Sequence, residues 1–207
     1  MFSGIVQTTT QVTHVTDKPG MKSFSVFLDD RMKHDLAIGA SVALDGVCFT
    51  VVNIVGNDIY FDAVQETLDK TTIGQLKEGS QLNVERSVKV GDEIGGHQVS
   101  GHVYGKAKIV GIDESLDNNF LLTLGIPESL IKYTFNKGYI ALNGASLTIV
   151  NVDHQNHSIQ VSLIPETLRQ TTFKDKQAGD EVNIEIEQQT HTIVDTIESI
   201  LASHNKG

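Results

Sequence analysis

Val42-Ala43-Leu44-Asp45-Gly46-Val47-Cys48-Phe49-Thr50-Val51-Val52-Asn53 is repeated later in the chain as Ile140-Ala141-Leu142-Asn143-Gly144-Ala145-Ser146-Leu147-Thr148-Ile149-Val150-Asn151, with Thr50 matching Thr148. Nearly every pair is identical or conservative. A duplication of this kind sets the fold before any local reading does, because each copy must be one structural unit.

The match extends outward in both directions. Glu66-Thr67-Leu68-Asp69-Lys70-Thr71-Thr72 pairs with Glu166-Thr167-Leu168-Arg169-Gln170-Thr171-Thr172, and Leu82-Asn83-Val84-Glu85 with Val182-Asn183-Ile184-Glu185. The spacing drifts by two residues between these blocks, which predicts a small insertion around 153–156. At the front, Ser3-Gly4-Ile5-Val6 pairs with Ser100-Gly101-His102-Val103. The seam falls at Gly95-Gly96, and Ser100-Gly101 reads as the opening strand of the second copy. The expected domains are residues 1–96, 97–188 and a C-terminal segment, 189–207.

Each copy reads as short strands. Phe24, Val26 and Leu28 alternate with Ser23, Ser25 and Phe27, and Thr and Val are abundant, as a half-buried pleated surface favours. Turn signals recur at Gly39, Asp45-Gly46, Gly56-Asn57-Asp58, Gly79 and Gly91-Asp92. No copy holds a long helix between strands, which disfavours a parallel βαβ layout. One helical turn is expected per copy, at 30–36 and 128–133, burying Met32 and Leu130. The resulting fold class is all-β, with two tandem small closed barrels, since closure removes sheet edges. Over 189–203, Ile193, Val194, Ile197, Ile200 and Leu201 form one face of an amphipathic helix. That face packs either on its own barrel or on another copy of the chain.

Composition narrows the function. The 207 residues carry a formal net charge of −10, which repels phosphate backbones and argues against nucleic-acid binding. No window is long and apolar enough to span a membrane. The N-terminus lacks a signal-peptide pattern, and Cys48 is the one cysteine, so cytoplasmic residence is expected. His97 and His102, five apart, miss the spacing of a zinc pair, and His154-Gln155-Asn156-His157 reads as a solvated loop. No metal or cofactor is expected. The glycines at the seam are not followed by the Lys-Ser/Thr pair of a phosphate loop, and 106–111 continues as a strand. No Ser-His-Asp pattern supports a hydrolase. Cys48 pairs with Ser146 across the duplication, and Thr50 with Thr148, which suggests two related pockets.

Met1-Phe2-Ser3-Gly4-Ile5-Val6, Asp45-Gly46-Val47-Cys48-Phe49-Thr50-Val51, the segment from Gly95-Gly96-His97 to Ser100-Gly101-His102-Val103, and Lys137-Gly138-Tyr139 through Ser146-Leu147-Thr148 together resemble the riboflavin synthase family, trimeric alpha-chain type. The resemblance covers essentially the whole chain. It implies two six-stranded antiparallel Greek-key barrels and a C-terminal helix that assembles a homotrimer. It also implies a reaction: two molecules of 6,7-dimethyl-8-ribityllumazine exchange a four-carbon unit, giving riboflavin and 5-amino-6-ribitylaminouracil, without metal or redox cofactor. Association with lumazine synthase is a further implied partnership.

By the same resemblance, Gly4, Ile5 and Val6, and Gly101, His102 and Val103, border the two ring sites. Cys48, Phe49 and Thr50, and Ser146, Leu147 and Thr148, contact ring and ribityl groups. Asp62, Ala63, Val64, Gln65, Glu66 and Thr67 line one pocket, and Ser162, Leu163, Ile164, Pro165, Glu166 and Thr167 the other. Phe2 is expected to stack on a ring. His102, Ser146, Cys48 and Lys137 are the catalytic candidates. This chain departs from the family pattern at Asn143 and Tyr104, where aspartate is common, and at Glu187, which replaces a shorter aspartate. A non-catalytic lumazine- or flavin-binding antenna protein, built on the same fold, is the rival expectation.

Overall fold

The computed structural model describes residues 1–116 and 119–204. The first half runs β1 (Thr8–Lys18), β2 (Met21–Phe27), α1 (Asp30–Lys33), β3 (Ser41–Leu44), β4 (Val47–Thr50), β5 (Asn53–Val55), β6 (Asp58–Val64), α2 (Gln65–Lys70), a 3₁₀ turn (Thr72–Gln75) and β7 (Gln81–Arg86). The second repeats it: β8 (Gly105–Leu116), β9 (Asn119–Gly125), α3 (Glu128–Ile131), β10 (Tyr139–Leu142), β11 (Ala145–Asp153), β12 (Ser158–Leu163), α4 (Pro165–Gln170), a 3₁₀ turn (Thr172–Asp175) and β13 (Glu181–Ile186). A long helix, α5 (Gln188–His204), follows.

All pairings are antiparallel. The second half closes as a six-stranded barrel in the order β10-β11-β12-β9-β8-β13. The first half has the order β4-β3-β7-β1-β2-β6-β5. Its two end strands, β4 and β5, are one strand interrupted at Val51 and Val52, where β11 runs unbroken, so its edges meet as well. Register repeats with the sequence: Ala43 faces Cys48 as Ala141 faces Ser146. The predicted insertion is real, since Val55 pairs with Asp58 across two residues but Asp153 pairs with Ser158 across four.

The decisive repeat folds as it does because of its turn. Asp45 (φ 44) and Gly46 (φ 77) both lie in the left-handed region, as do Asn143 (φ 44) and Gly144 (φ 82). Two consecutive positive φ values make the tight hairpin whose twist matches the strands, and Asp-Gly and Asn-Gly adopt it readily. The two hairpin tips meet between the barrels, so close that a Cβ on Gly46 would lie 2.6 Å from the Gly144 nitrogen.

Each barrel has its own core. Phe24, Phe49, Phe61, Ile59 and Leu44 fill the first; Ile109, Leu122, Leu124, Ile159 and Phe173 fill the second. Met32 and Leu130 are buried as expected, beneath α1 and α3. Asp29 caps α1 by accepting from the Met32 N–H at 2.8 Å. Two expectations are corrected. Each half contains further short helical segments after β6 and β12, not one alone. Residues 100–103 form no strand: β8 begins at Gly105, and the isolated bridge here joins Phe2 to Val99.

Helix α5 lies along the second barrel. Val194 packs against its core, the Tyr133 hydroxyl donates to Asp195, and Lys132 pairs with Asp195 and Glu198. Ile193, Ile197, Ile200 and Leu201 remain exposed. Residues 205–207 of the expected C-terminal segment lie outside the described residues. Among the described residues, no helix is long and apolar enough to cross a membrane.

Candidate functional site

The two barrels are joined by a symmetric polar seam and by two crossed arms. In the seam, the Asn83 side chain donates to the Asn143 carbonyl (2.9 Å) and the Asn183 side chain to the Asp45 carbonyl (2.8 Å). Asn83 also accepts from the Thr172 N–H, and Asn183 from the Thr72 N–H, each at 2.8 Å. Phe2, Ala43, Val99 and Ala141 form a small apolar cluster beside it. Phe2 is 1% exposed, so its ring is used in this packing and is not available to stack on a ligand.

The arms are the segments that open each copy. The Gly4 carbonyl accepts from the other barrel, where the Ser146 N–H donates to it at 2.8 Å. The Cys48 N–H reaches the Gly101 carbonyl at 2.9 Å. Both glycines have positive φ, 74° and 82°. A Cβ on Gly4 would lie 2.6 Å from the Ser146 Cβ, and one on Gly101 2.5 Å from the Cys48 Cβ. Glycine is therefore required twice over, by conformation and by close approach. Two buried carboxylates hold the arms. Glu85 accepts from Ser3 N–H (2.7 Å), Ser3 Oγ (2.8 Å) and Gly4 N–H (3.1 Å); Glu185 accepts from Ser100 N–H (2.6 Å), Ser100 Oγ (2.7 Å) and Gly101 N–H (2.9 Å). Burial raises both carboxyls above the ordinary range, and these donors partly offset it.

A cleft of about 400 Å³ opens where the second arm crosses the first barrel. Val47 and Cys48 from β4, Glu66, Thr67, Lys70 and Thr71 around α2, and Gly101 to Tyr104 from the arm line it. Its size falls in the range of small-molecule sites. The structure thus brings Cys48, Glu66, Thr67, Gly101, His102 and Val103 together, and adds Lys70, which pairs with Glu66 at 2.7 Å. By the internal symmetry, Ser146, Gly4 and Ile5 stand at the corresponding place on the second barrel, where Arg169 pairs with Glu166 as Lys70 does with Glu66, while Val6 is buried in that barrel's core.

Strand alternation sorts the remaining candidates. Thr50, Asp62 and Val64 face outward, as do Thr148, Ser162 and Ile164; Phe49, Ala63, Leu147 and Leu163 point into the cores, so their side chains cannot touch a ligand outside the barrels. Gln65 and Pro165 begin α2 and α4 and are exposed. Lys137 is exposed in a left-handed turn (φ 68), donates its N–H to Ile149, and is not among the residues lining the Cys48 cleft.

The two surfaces differ at one strong contact. His97 is buried, stacks on Tyr139 at 5.2 Å, and shares a 2.7 Å hydrogen bond between its Nδ1 and the Ser146 Oγ. Its Nε2 is buried with no partner. Burial lowers its proton affinity, against the pull of Glu187, which favours the neutral ring. Sequence spacing gave no hint of this pair, which is 49 residues apart.

The departures find structural places. Asn143 is fully buried in the seam and holds the Asn183 N–H. Glu187 caps α5 through the Gln189 and Thr190 N–H groups. Burial raises its carboxyl, but these bonds outweigh that and hold it below the ordinary range. Tyr104 lines the Cys48 cleft and packs against His191.

Fold and site together define a tandem-barrel protein whose two arms cross between the barrels, with a small-molecule-sized cleft where the second arm meets the first barrel. The chain matches the Lumazine binding domain family twice, over residues 3–87 and 100–187. It is 44% identical over 204 residues to riboflavin synthase of Escherichia coli K12, covering 98% of this chain and 94% of that one. It is 43% identical over 206 residues to riboflavin synthase of Chlamydia pneumoniae, covering 100% of both chains. Crystal structures of LumP share the fold: the complex with riboflavin has a TM-score of 0.82 at 25% identity, and the complex with 6,7-dimethyl-8-(1'-D-ribityl) lumazine 0.81 at 23%, each covering 91% of this chain and 100% of that one. The chain belongs to the riboflavin synthase family, built from tandem lumazine binding domains.

Proposed function

We infer that the protein is a riboflavin synthase, converting two molecules of 6,7-dimethyl-8-ribityllumazine into riboflavin and 5-amino-6-ribitylaminouracil by moving a four-carbon unit between them. The observation that carries this is the twinned surface: one chain offers two near-equivalent sites, Cys48 with Gly101 and Ser146 with Gly4, to a reaction that consumes two identical molecules.

The 7-methyl group of the lumazine is acidic because its carbanion delocalises into the ring. The protein's main task is then to hold two rings together, and orientation alone supplies several kcal/mol of the barrier. Proton transfer falls to His102, which is exposed beside Cys48, and to Ser146, whose hydroxyl is oriented by His97. Lys137 reaches the carbonyl edge of a ring held by Ser146. Following the family pattern, the reacting pair forms between the first barrel of one subunit and the second barrel of another. The exposed stripe Ile193, Ile197, Ile200 and Leu201 on α5 drives that assembly, as a homotrimer. The same reading puts the protein in the cytoplasm, with lumazine synthase as an associate.

The test is incubation of the purified protein with 6,7-dimethyl-8-ribityllumazine alone, following riboflavin by absorbance. Riboflavin formation supports the reading. Tight binding without turnover supports the antenna-protein alternative.

A further inference from the structure

We propose that Glu85 and Glu185 are crossed positioning residues, each holding the arm that completes the pocket of the opposite barrel. The inference rests on the reading above for what the pockets hold, but not for its geometry. In the first barrel, strand pairing sets Glu85 beside Ala43 and Ala43 beside Cys48. In the second, Glu185 stands beside Ala141 and Ala141 beside Ser146. Each row therefore carries a carboxylate at one end and a pocket residue at the other, two strands or roughly 10 Å apart.

The arms connect the rows diagonally. Ser3-Gly4 is gripped by Glu85 of the first barrel and delivers the Gly4 carbonyl to Ser146 of the second. Ser100-Gly101 is gripped by Glu185 of the second barrel and delivers the Gly101 carbonyl to Cys48 of the first. Each carboxylate receives three donors, and a carboxylate suits them because it is an acceptor only. Ser3 and Glu85 are both buried, as is Glu185, so this is not a solvent-facing ion pair but a fixed clamp. A residue serving only its own barrel would have its grip and its effect on the same side. Here they are on opposite sides. The consequence is that neither pocket is complete without a side chain that belongs to the other domain, which couples the two ligand surfaces within one chain.

The test uses the full-length protein without ligand, measuring hydrogen exchange of the Cys48 and Ser146 amides by NMR in Glu85→Gln and Glu185→Gln. The Gln amide sets a donor against a donor in each clamp. Glu185→Gln should speed exchange at Cys48 by about tenfold or more while leaving Ser146 within about twofold, and Glu85→Gln should do the reverse. Should either substitution prevent folding, Ser100→Ala and Ser3→Ala remove one donor each and should give the same crossed pattern at smaller amplitude. Faster exchange at the amide of the mutated residue's own barrel, equal changes at both, or no change at either overturns the proposal. Because no ligand is present, a wild-type protein that fails to convert lumazine defeats the functional reading alone and leaves this pattern to stand or fall separately.

Discussion

Asp45 offers a prediction whose size follows from its surroundings. Its carboxyl is buried at the seam, and burial lifts it from the ordinary 3.8 to about 7, against the Asn83 N–H and the charge of Lys176, which pull it down. It borders a cleft of about 450 Å³ whose charged groups are Lys176, Asp175, Asp180 and Glu181. The folded state therefore holds a proton that the unfolded chain releases between pH 3.8 and about 7. Folding stability from this group is full below the lower value and is lost as pH rises through the upper one. At about 1.4 kcal/mol per factor of ten in proton affinity, the loss approaches roughly 4 kcal/mol by pH 8. Asp45→Asn removes the titration, and Asn143 shows that asparagine fits the same backbone, since both residues have φ 44. Urea unfolding of both proteins at one protein concentration, from pH 4 to pH 8, reads the difference directly. The variant should match wild type within about 1 kcal/mol at the acid end and exceed it increasingly toward pH 8. A difference that stays constant with pH, or a variant less stable throughout, refutes the reasoning.

Two further outcomes follow from the arms and the C-terminal helix. Gly101→Ala forces a side chain into the left-handed region and against Cys48; it should cost about 2 kcal/mol or more in thermal unfolding and make the Cys48 thiol faster to react with a disulfide reagent. Deleting the residues after about Thr190 removes the exposed stripe of α5; light scattering should then show monomers with little activity, and a fully active monomer contradicts the shared site.

The sequence disclosed most of the architecture, because duplication and alternation act locally. The repeat around Asp45-Gly46 and Asn143-Gly144 fixes two hairpins, the drift of two residues locates a loop, and the stripe from Ile193 to Leu201 marks α5. Short helices were less legible. Gln65-Glu66-Thr67-Leu68-Asp69-Lys70 has a single apolar residue and is too short for a helical period to show, although Pro165, at the start of α4, is a usable signal. What stayed hidden is everything that depends on contacts between the halves. The family resemblance assigns Gly4 and Gly101 to ligand-bordering positions, but only packing shows that each reaches the opposite barrel. The same is true of Phe2, which the resemblance sets against a ligand ring and which packs with Ala43, Val99 and Ala141. It is true of His97, whose partner Ser146 is distant in the chain, and of Glu85 and Glu185, which read as ordinary polar residues of alternating strands.

The most direct measurement of the central claim is product stoichiometry. Purified protein supplied with 6,7-dimethyl-8-ribityllumazine and nothing else should consume two molecules for each riboflavin formed and release one molecule of 5-amino-6-ribitylaminouracil. Lumazine that binds at two sites per chain and is recovered unchanged contradicts it.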